Sequence, residues 1–318
     1  MLVYLLFFVS LVLLYIGAEL ALAASEKVGE LFNLSPLVVG LILMAFGTSL
    51  PELFVSHLAC LGGNSGIALG NIIGSNIGNM FLILGLTGCL TSLSFSSASR
   101  RHLTYLHLGM SVLLVLVLFP SSYYLISSIV LLLYFCFYLF SSLKEMKRSQ
   151  LIKEVDIKEK KTSGVKSTPW NIFVLASKLI LGFFLLYYGG KVLVSSSTEI
   201  CVLLGIPEYI VSAAIVALGT SLPELVTCLL AVARKKDVGL IAGNILGSNI
   251  FNVGFILGGL GLYEIDIHRN FMVETITLVL ATIYLLALGK KKVHFGKKSG
   301  ILFLGLYVSV LTYWVVGK

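Results

Sequence analysis

Two glutamates that lie inside long apolar stretches, Glu52 and Glu224, have the most distinctive chemistry in this sequence. Burying a carboxylate in apolar surroundings is costly, so such a residue indicates a functional site. Each glutamate follows a proline, and the motif Gly-Thr-Ser-Leu-Pro-Glu-Leu is identical at 47–53 and 219–225. A lone glutamate could serve as a structural hydrogen-bonding residue. Two glutamates in identical motifs instead predict a cation site to which both contribute.

Hydroxyl side chains accompany both glutamates. In each motif a threonine and a serine stand four and three residues before the glutamate, which places all three on one helical face. These hydroxyl residues are Thr48, Ser49, Thr220 and Ser221. The adjacent proline cannot donate to the carbonyl four residues back, and its ring displaces that carbonyl. We therefore expect a kink that frees carbonyl oxygens around 45–48 and 217–220, where a broken helix can coordinate cations.

A second repeated motif supplies more oxygen donors. Residues 70–79 recur with few changes at 243–252, and each copy holds a serine and an asparagine four positions apart. These residues are Ser75, Asn79, Ser248 and Asn252. The combined donors are carboxylates, amides, hydroxyls and carbonyls, and the motifs contain no thiolate or imidazole. Such hard oxygen ligands favour calcium or sodium over zinc or copper, and two carboxylates neutralise one divalent ion.

Small and polar residues in the second motif also bear on helix packing. Gly70, Gly74, Gly243 and Gly247 form small-xxx-small patterns, which let helices approach closely. We expect Asn71 and Asn244 to cap or tie helices rather than to bind the ion directly.

The composition places these motifs in a membrane. Of the 318 residues, 58% are hydrophobic and only 12% are charged, and the mean hydropathy is +1.00. A soluble domain needs a larger polar shell, so we predict an all-α polytopic membrane protein. A span needs about 20 apolar residues. Ten segments qualify: 2–24, 36–59, 67–90, 103–119, 123–143, 170–195, 208–232, 238–263, 271–289 and 299–317.

The distribution of lysine and arginine predicts the orientation. The connection 144–169 carries eight basic residues, which the positive-inside rule places in the cytoplasm. Alternation then puts 19 lysines and arginines inside and two outside, with both termini outside. The net charge of +8 therefore reflects topology, and we predict no nucleic-acid partner. Short loops favour the plasma (inner) membrane as the location, and the oligomeric state stays open.

The repeated motifs divide the chain into halves. Each half holds five predicted spans, and because five is odd the halves enter the membrane in opposite directions. We predict two inverted five-helix repeats, at 1–143 and 170–318, joined by a basic cytoplasmic linker at 144–169. Inverted repeats are typical of secondary transporters, whose ion sites lie where the repeats meet at the midplane.

The doubled motifs resemble the alpha repeats of the sodium/calcium exchangers, within the cation/calcium antiporter superfamily, and the chain looks like a prokaryotic-type member. The resemblance implies that Glu52 and Glu224 are the acidic calcium ligands, beside the four hydroxyl residues of their motifs. It also implies sodium ligation by the Ala45 and Ala217 carbonyls and by Ser75 and Ser248, with the Asn79 amide beside them. Asn252 departs from the aspartate of many prokaryotic members and of potassium-dependent exchangers, which suggests that potassium is not transported.

The resulting expectation is a secondary-active antiporter that exchanges calcium for sodium by alternating access and moves net charge, with calcium, sodium and the lipid bilayer as its partners. Spans one and six would slide outside the ion-binding core. A proton/calcium antiporter with the same fold stays open as an alternative, as does a channel-like or scaffold membrane protein. The sequence lacks the motifs of hydrolases and nucleotide-binding enzymes, so we expect neither an enzyme nor a cofactor.

Overall fold

The computed structural model describes residues 2–63, 65–95, 97–118, 124–157, 168–203, 219–263 and 271–316, and nearly all of them are helical. The helices in these ranges are α1 (Leu2–Leu31), α2 (Pro36–Thr48), α3 (Leu50–Leu61), α4 (Ser65–Leu90), α5 (Ser97–Leu118), α6 (Tyr124–Ile157), α7 (Pro169–Leu203), α8 (Leu222–Ala233), α9 (Val238–Leu260), α10 (Met272–Lys290) and α11 (Lys297–Val316). Their order along the chain follows that of the predicted spans.

Several described helices have the length and hydropathy of membrane spans. Seven could cross a bilayer, or eight when α2 and α3 are counted as one bent span. The seven are α1, α4, α5, α6, α7, α9 and α10. The expectation of a multi-pass helical membrane protein is therefore confirmed. The count of ten spans stays a prediction, because part of the predicted span 208–232 lies outside the described residues and α11 is not among the candidate spans.

Helix α6 extends well beyond the predicted span. The predicted span ended at 143, whereas the helix continues to Ile157 and so includes the first part of the predicted linker. The segment 144–157 is rich in lysine and glutamate, which favour helix in water. Hydropathy marks where the apolar segment ends, whereas helix propensity decides where the helix ends. Helix α7 begins at Pro169. The backbone N–H of Asn171 donates to Thr168 Oγ1 at 3.2 Å.

Burial separates two central helices from the surrounding ones. Within the protein, 94% of the most apolar window of α9 and 78% of that of α4 are buried, compared with 22–39% in the other five candidate spans. The outer helices expose large apolar side chains, such as Leu5 at 60% and Phe173 at 62%. An apolar exterior is stable when lipid covers it, so α4 and α9 form the core of a bundle whose outer surface faces the bilayer.

Glycines let α9 approach α2 backbone to backbone. A Cβ atom at Gly243 would lie 2.4 Å from the Leu37 carbonyl oxygen, and one at Gly247 would lie 2.6 Å from the Leu41 carbonyl oxygen. The small-residue spacing predicted this approach for the second half of the chain. In the first half, a Cβ atom at Gly70 would have no described atom within 4 Å, so Gly70 itself makes no such contact with the described residues.

Helices α1 and α7 form a second closely packed pair. A Cβ atom at Gly17 would lie 2.8 Å from the Gly182 carbonyl oxygen, and one at Gly189 would lie 3.0 Å from a backbone nitrogen of α1. The same helix α7 contacts both repeated motifs, because Phe183 packs over Gly47 and Val194 packs over Gly219. The α1–α7 pair therefore lies directly against the segments that carry the two glutamates.

Candidate cation site

Both glutamates begin a helix that follows a sharp break. Helix α2 ends at Thr48 and α3 begins at Leu50, and the two helices are bent by 41°. Ser49 at this break has φ −87° and ψ 8°, and Ser221 before α8 has φ −88° and ψ 9°. The shared sequence thus adopts one local structure twice, and it places each glutamate in the first turn of a helix, where the positive end of the helix dipole favours an anion.

Pro51 explains the break between α2 and α3. It frees fewer backbone carbonyls from helical hydrogen bonds than the sequence suggested. Pro51 has no N–H, so the Gly47 carbonyl loses its helical donor. The Ala45 carbonyl still accepts a hydrogen bond from the Ser49 amide at 3.1 Å, and one of its lone pairs is left for an ion. Ala217, the matching residue in the second half, lies outside the described residues.

The two motifs exchange hydrogen bonds across the site. The Ser49 hydroxyl donates to Glu224 Oε1 at 2.8 Å, and the Ser221 hydroxyl donates to Glu52 Oε1 at 3.2 Å. Both carboxylates are 0% exposed. Each motif therefore binds the glutamate of the other, so that both carboxylates face one shared interior region.

Several buried polar atoms of the predicted ligands have no hydrogen-bond partner among the described residues. They are Oε2 of Glu52, Oε2 of Glu224, and both polar atoms of the Asn79 and Asn252 side chains. Buried polar groups are normally paired, and leaving one unpaired costs about 1–3 kcal/mol. The orphaned groups include two carboxylate oxygens and two amide oxygens, which are the donors that a hard cation takes. The unmet bonding capacity of the site therefore fits bound cations.

The negative charge of the site also indicates that it binds cations. Two carboxylates that are both 0% exposed lie together, and the ion pairs found in the described part of the chain, Arg234 with Glu19 and Lys236 with Glu26, involve neither of them. Buried carboxylates need either a proton or compensating positive charge. A divalent ion, or two or more monovalent ions, would supply that charge.

The remaining hydroxyls belong to the same network. Ser75 and Thr220 lie 3.1 Å apart between their oxygens, and the Ser248 hydroxyl is 3.4 Å from Glu224 Oε1. The Thr48 hydroxyl lies 3.3 Å from Asn244 Oδ1. These bonds bring together every predicted hydroxyl ligand from four separate segments of the chain.

The two asparagines that lack a side-chain partner among the described residues lie in helical turns with a wider hydrogen-bond spacing. Asn79 lies in the π-helical turn Gly78–Ile83 of α4, and Asn252 opens the turn Asn252–Leu257 of α9. A third such turn, Val39–Met44, precedes the break in α2. Turns of this kind are frequent at functional sites, yet no residue pattern in the sequence revealed them.

Comparisons with known proteins identify the family and the fold of the chain. The family model described as "Sodium/calcium exchanger protein" matches residues 2–144 and 175–316. An uncharacterised membrane protein of Methanocaldococcus jannaschii is 32% identical over 306 residues, which cover 95% of this chain and 94% of that protein. The sodium/calcium exchanger MaX1 of Methanosarcina acetivorans is 27% identical over 347 residues and 97% of each chain. A solved structure of the sodium-calcium exchanger NCX_Mj soaked with sodium and strontium superposes with a TM-score of 0.83, at 30% identity over 98% of each chain.

Proposed function

The chain belongs to the sodium/calcium exchanger protein family, and from that premise we propose that it exchanges sodium for calcium across a membrane. The family consists of membrane transporters, so the chain is not an enzyme. The single observation that carries the proposal is the pair of buried glutamates, each with one oxygen bound by the opposite motif and one oxygen without a partner in the described structure. A calcium ion between them would use both free oxygens.

The two ions share their ligands in this proposal. Calcium takes Glu52 and Glu224 together with hydroxyl or carbonyl oxygens of Thr48, Ser49, Thr220 and Ser221. Sodium takes the same carboxylates with Ser75, Ser248, the amides of Asn79 and Asn252, and the carbonyls of Ala45 and Ala217. Because the sets overlap, occupancy by one ion excludes the other, which is the requirement for exchange. The contacts that support this assignment are the shared hydrogen bonds of the two motifs.

The two halves are proposed to be inverted repeats, at 1–143 and 170–318, with ten spans between them. The reciprocal bonds support a two-fold relation, because Ser49 binds Glu224 while Ser221 binds Glu52. A contact that is made in both directions by matching residues is the mark of a two-fold axis. We place both termini outside and the linker 144–169 in the cytoplasm of a plasma membrane, from the distribution of basic residues.

The α1–α7 pair is the proposed moving part for alternating access. Its glycine contacts, such as Gly17 against Gly182, present few side chains that would hinder sliding along the helix axes. The pair also touches both motifs through Phe183 and Val194, so its position can cover or uncover either face of the site. Exchange of several sodium ions for one calcium ion moves net charge, which is worth about 2.3 kcal/mol per elementary charge at 100 mV.

A sodium gradient should drive calcium uptake by the purified protein in liposomes. Vesicles loaded with sodium and diluted into sodium-free medium should accumulate radioactive calcium, because sodium leaving the shared ligands frees them for calcium. Potassium on either side should leave the rate unchanged, since Asn252 contributes an amide rather than a third carboxylate. A diffusion potential that is negative outside, set with potassium and a potassium ionophore, should speed uptake, because net positive charge moves outward with sodium.

Two alternative outcomes would contradict the proposal. Uptake that follows a pH gradient and ignores sodium would identify a proton/calcium antiporter. Calcium flux far above the turnover of a carrier, with no dependence on a counter-ion, would identify a channel. Empty liposomes and liposomes treated with a sodium ionophore are the controls, because both should show no sodium-driven accumulation.

A further inference from the structure

We propose that Asn71 and Asn244 are positioning residues that fix the hydroxyl protons of Thr220 and Thr48 away from the ion. The inference rests on the proposed function, and it concerns two residues that the ion does not touch. Each asparagine joins its own half of the chain to the threonine of the opposite motif, at 3.1 Å for Asn71 with Thr220 and 3.3 Å for Asn244 with Thr48.

The orientation of the Asn71 amide follows from its neighbours. Its Nδ2 atom lies 3.3 Å from the Glu52 carbonyl oxygen and 3.0 Å from Ser56 Oγ. A backbone carbonyl can only accept, so the NH₂ group must face it and Oδ1 must face Thr220. An amide oxygen cannot donate, so in this pair Thr220 donates its single hydroxyl proton to Asn71 Oδ1.

This proton assignment extends to Ser75. The Ser75 and Thr220 oxygens are 3.1 Å apart, and either could donate in principle. Since the Thr220 proton is directed at Asn71, Ser75 is the donor of that pair. The result is a chain from Ser75 to Thr220 to Asn71 in which each hydroxyl proton has a fixed acceptor. The lone pairs that are not used in the chain are then available to a cation.

The same logic applies to Asn244 in the second half. The Thr227 hydroxyl donates to the Pro223 or Glu224 carbonyl, at 2.8 and 3.0 Å, so its oxygen can only accept from Asn244 Nδ2, at 3.2 Å. Asn244 Oδ1 therefore faces Thr48. The Thr48 proton goes either to this oxygen or to the Met44 carbonyl at 3.0 Å, and both acceptors are oxygens that cannot donate.

Fixed hydroxyl protons matter because a hydroxyl is both donor and acceptor. A threonine free to rotate can point its proton at a neighbouring carboxylate and so compete with the cation for that oxygen. Held by the asparagine, it presents only its oxygen, and the ligand set is preorganised at no cost when the ion arrives. Asn71 thus governs ion affinity through Thr220 rather than by direct contact, and Asn244 gives Thr48 a second acceptor beside the Met44 carbonyl.

A double-mutant cycle on calcium binding tests this coupling. We expect Asn71→Ala to raise the calcium dissociation constant of the purified protein about tenfold, but less than about twofold when Thr220→Val has already removed the hydroxyl. In a Thr220→Ser background, which restores a hydroxyl, the effect of Asn71→Ala should return. Radioactive calcium binding to detergent-purified protein is the measurement, with a monodisperse elution profile required of every variant.

Double variants that combine each asparagine with the threonine it does not contact provide matched controls. Asn71→Ala with Thr48→Val, and Asn244→Ala with Thr220→Val, remove groups that are not bonded to each other, so their effects should add. The inference is overturned if Asn71→Ala has the same effect in the Thr220→Val background as in the wild type. If the wild-type protein binds no calcium, or if sodium does not displace it, the proposed function fails instead.

Discussion

Replacement of Glu52 or Glu224 by glutamine should abolish sodium-driven calcium transport. Glutamine has nearly the same shape and can still accept the hydroxyl of Ser221 or Ser49, so the local fold is retained. The site loses half of the negative charge that neutralises a divalent ion. Breaking a buried charge pair costs about 3–5 kcal/mol, which corresponds to a loss of calcium affinity of more than about a hundredfold.

A buried glutamate outside the site provides the matched control. Glu274 on α10 is also 0% exposed, and its Oε1 atom accepts a hydrogen bond from Trp314 Nε1 at 2.7 Å, which a glutamine can preserve. Glu274→Gln should therefore keep calcium binding and exchange near wild-type levels. The comparison requires calcium binding, exchange in liposomes and thermal unfolding of all three variants. Full exchange activity in either Glu52→Gln or Glu224→Gln would remove the carboxylate pair from the mechanism.

Replacement of Gly243 by alanine should disturb both the fold and the site. The added methyl group would lie 2.4 Å from the Leu37 carbonyl oxygen, and because that oxygen belongs to the backbone, α9 and α2 must separate. Overpacking of this kind costs about 1–3 kcal/mol. The next residue is Asn244, which bonds to Thr48 at 3.3 Å, so the separation should also weaken calcium binding.

The control for this variant is the same substitution in an open position. A Cβ atom at Gly305 on α11 has no described atom within 4 Å. Gly305→Ala should therefore be neutral or should stabilise its helix by about 0.5–1 kcal/mol, as alanine is the better helix former. Thermal unfolding in detergent, with and without calcium, separates the two variants. A melting temperature of Gly243→Ala equal to that of the wild type would show that the close helix contact is absent.

The sequence was sufficient to predict the class of protein and the two motifs whose side chains the structure brings together. Hydropathy and charge are direct properties of the residues, so the described spans and the repeated motifs could be located without a structure. The pairing of the donors could not be predicted in the same way. Ser49 shares a helical face with Glu52, yet its hydroxyl donates to Glu224. That pairing depends on how the two halves dock, and periodicity within one helix does not report it.

Helix ends and irregular helical turns also could not be predicted from the sequence. The end of α6 at Ile157 depends on helix propensity in a polar segment, which hydropathy does not measure. The π-helical turns at Gly78–Ile83 and Asn252–Leu257 interrupt apolar helices without a change in hydropathy, so hydropathy does not report them. Asn71 and Asn244 were expected to tie helices, but their bonds to the opposite threonines required coordinates.

Anomalous diffraction from crystals grown in calcium would test the shared-carboxylate site most directly. We expect one strong peak between the side chains of Glu52 and Glu224, about 2.3–2.6 Å from at least one oxygen of each, which is the usual calcium–oxygen distance. The peak should vanish when sodium replaces calcium in the crystal. A calcium peak bound by only one of the two glutamates, or located elsewhere in the bundle, would contradict the two-carboxylate site.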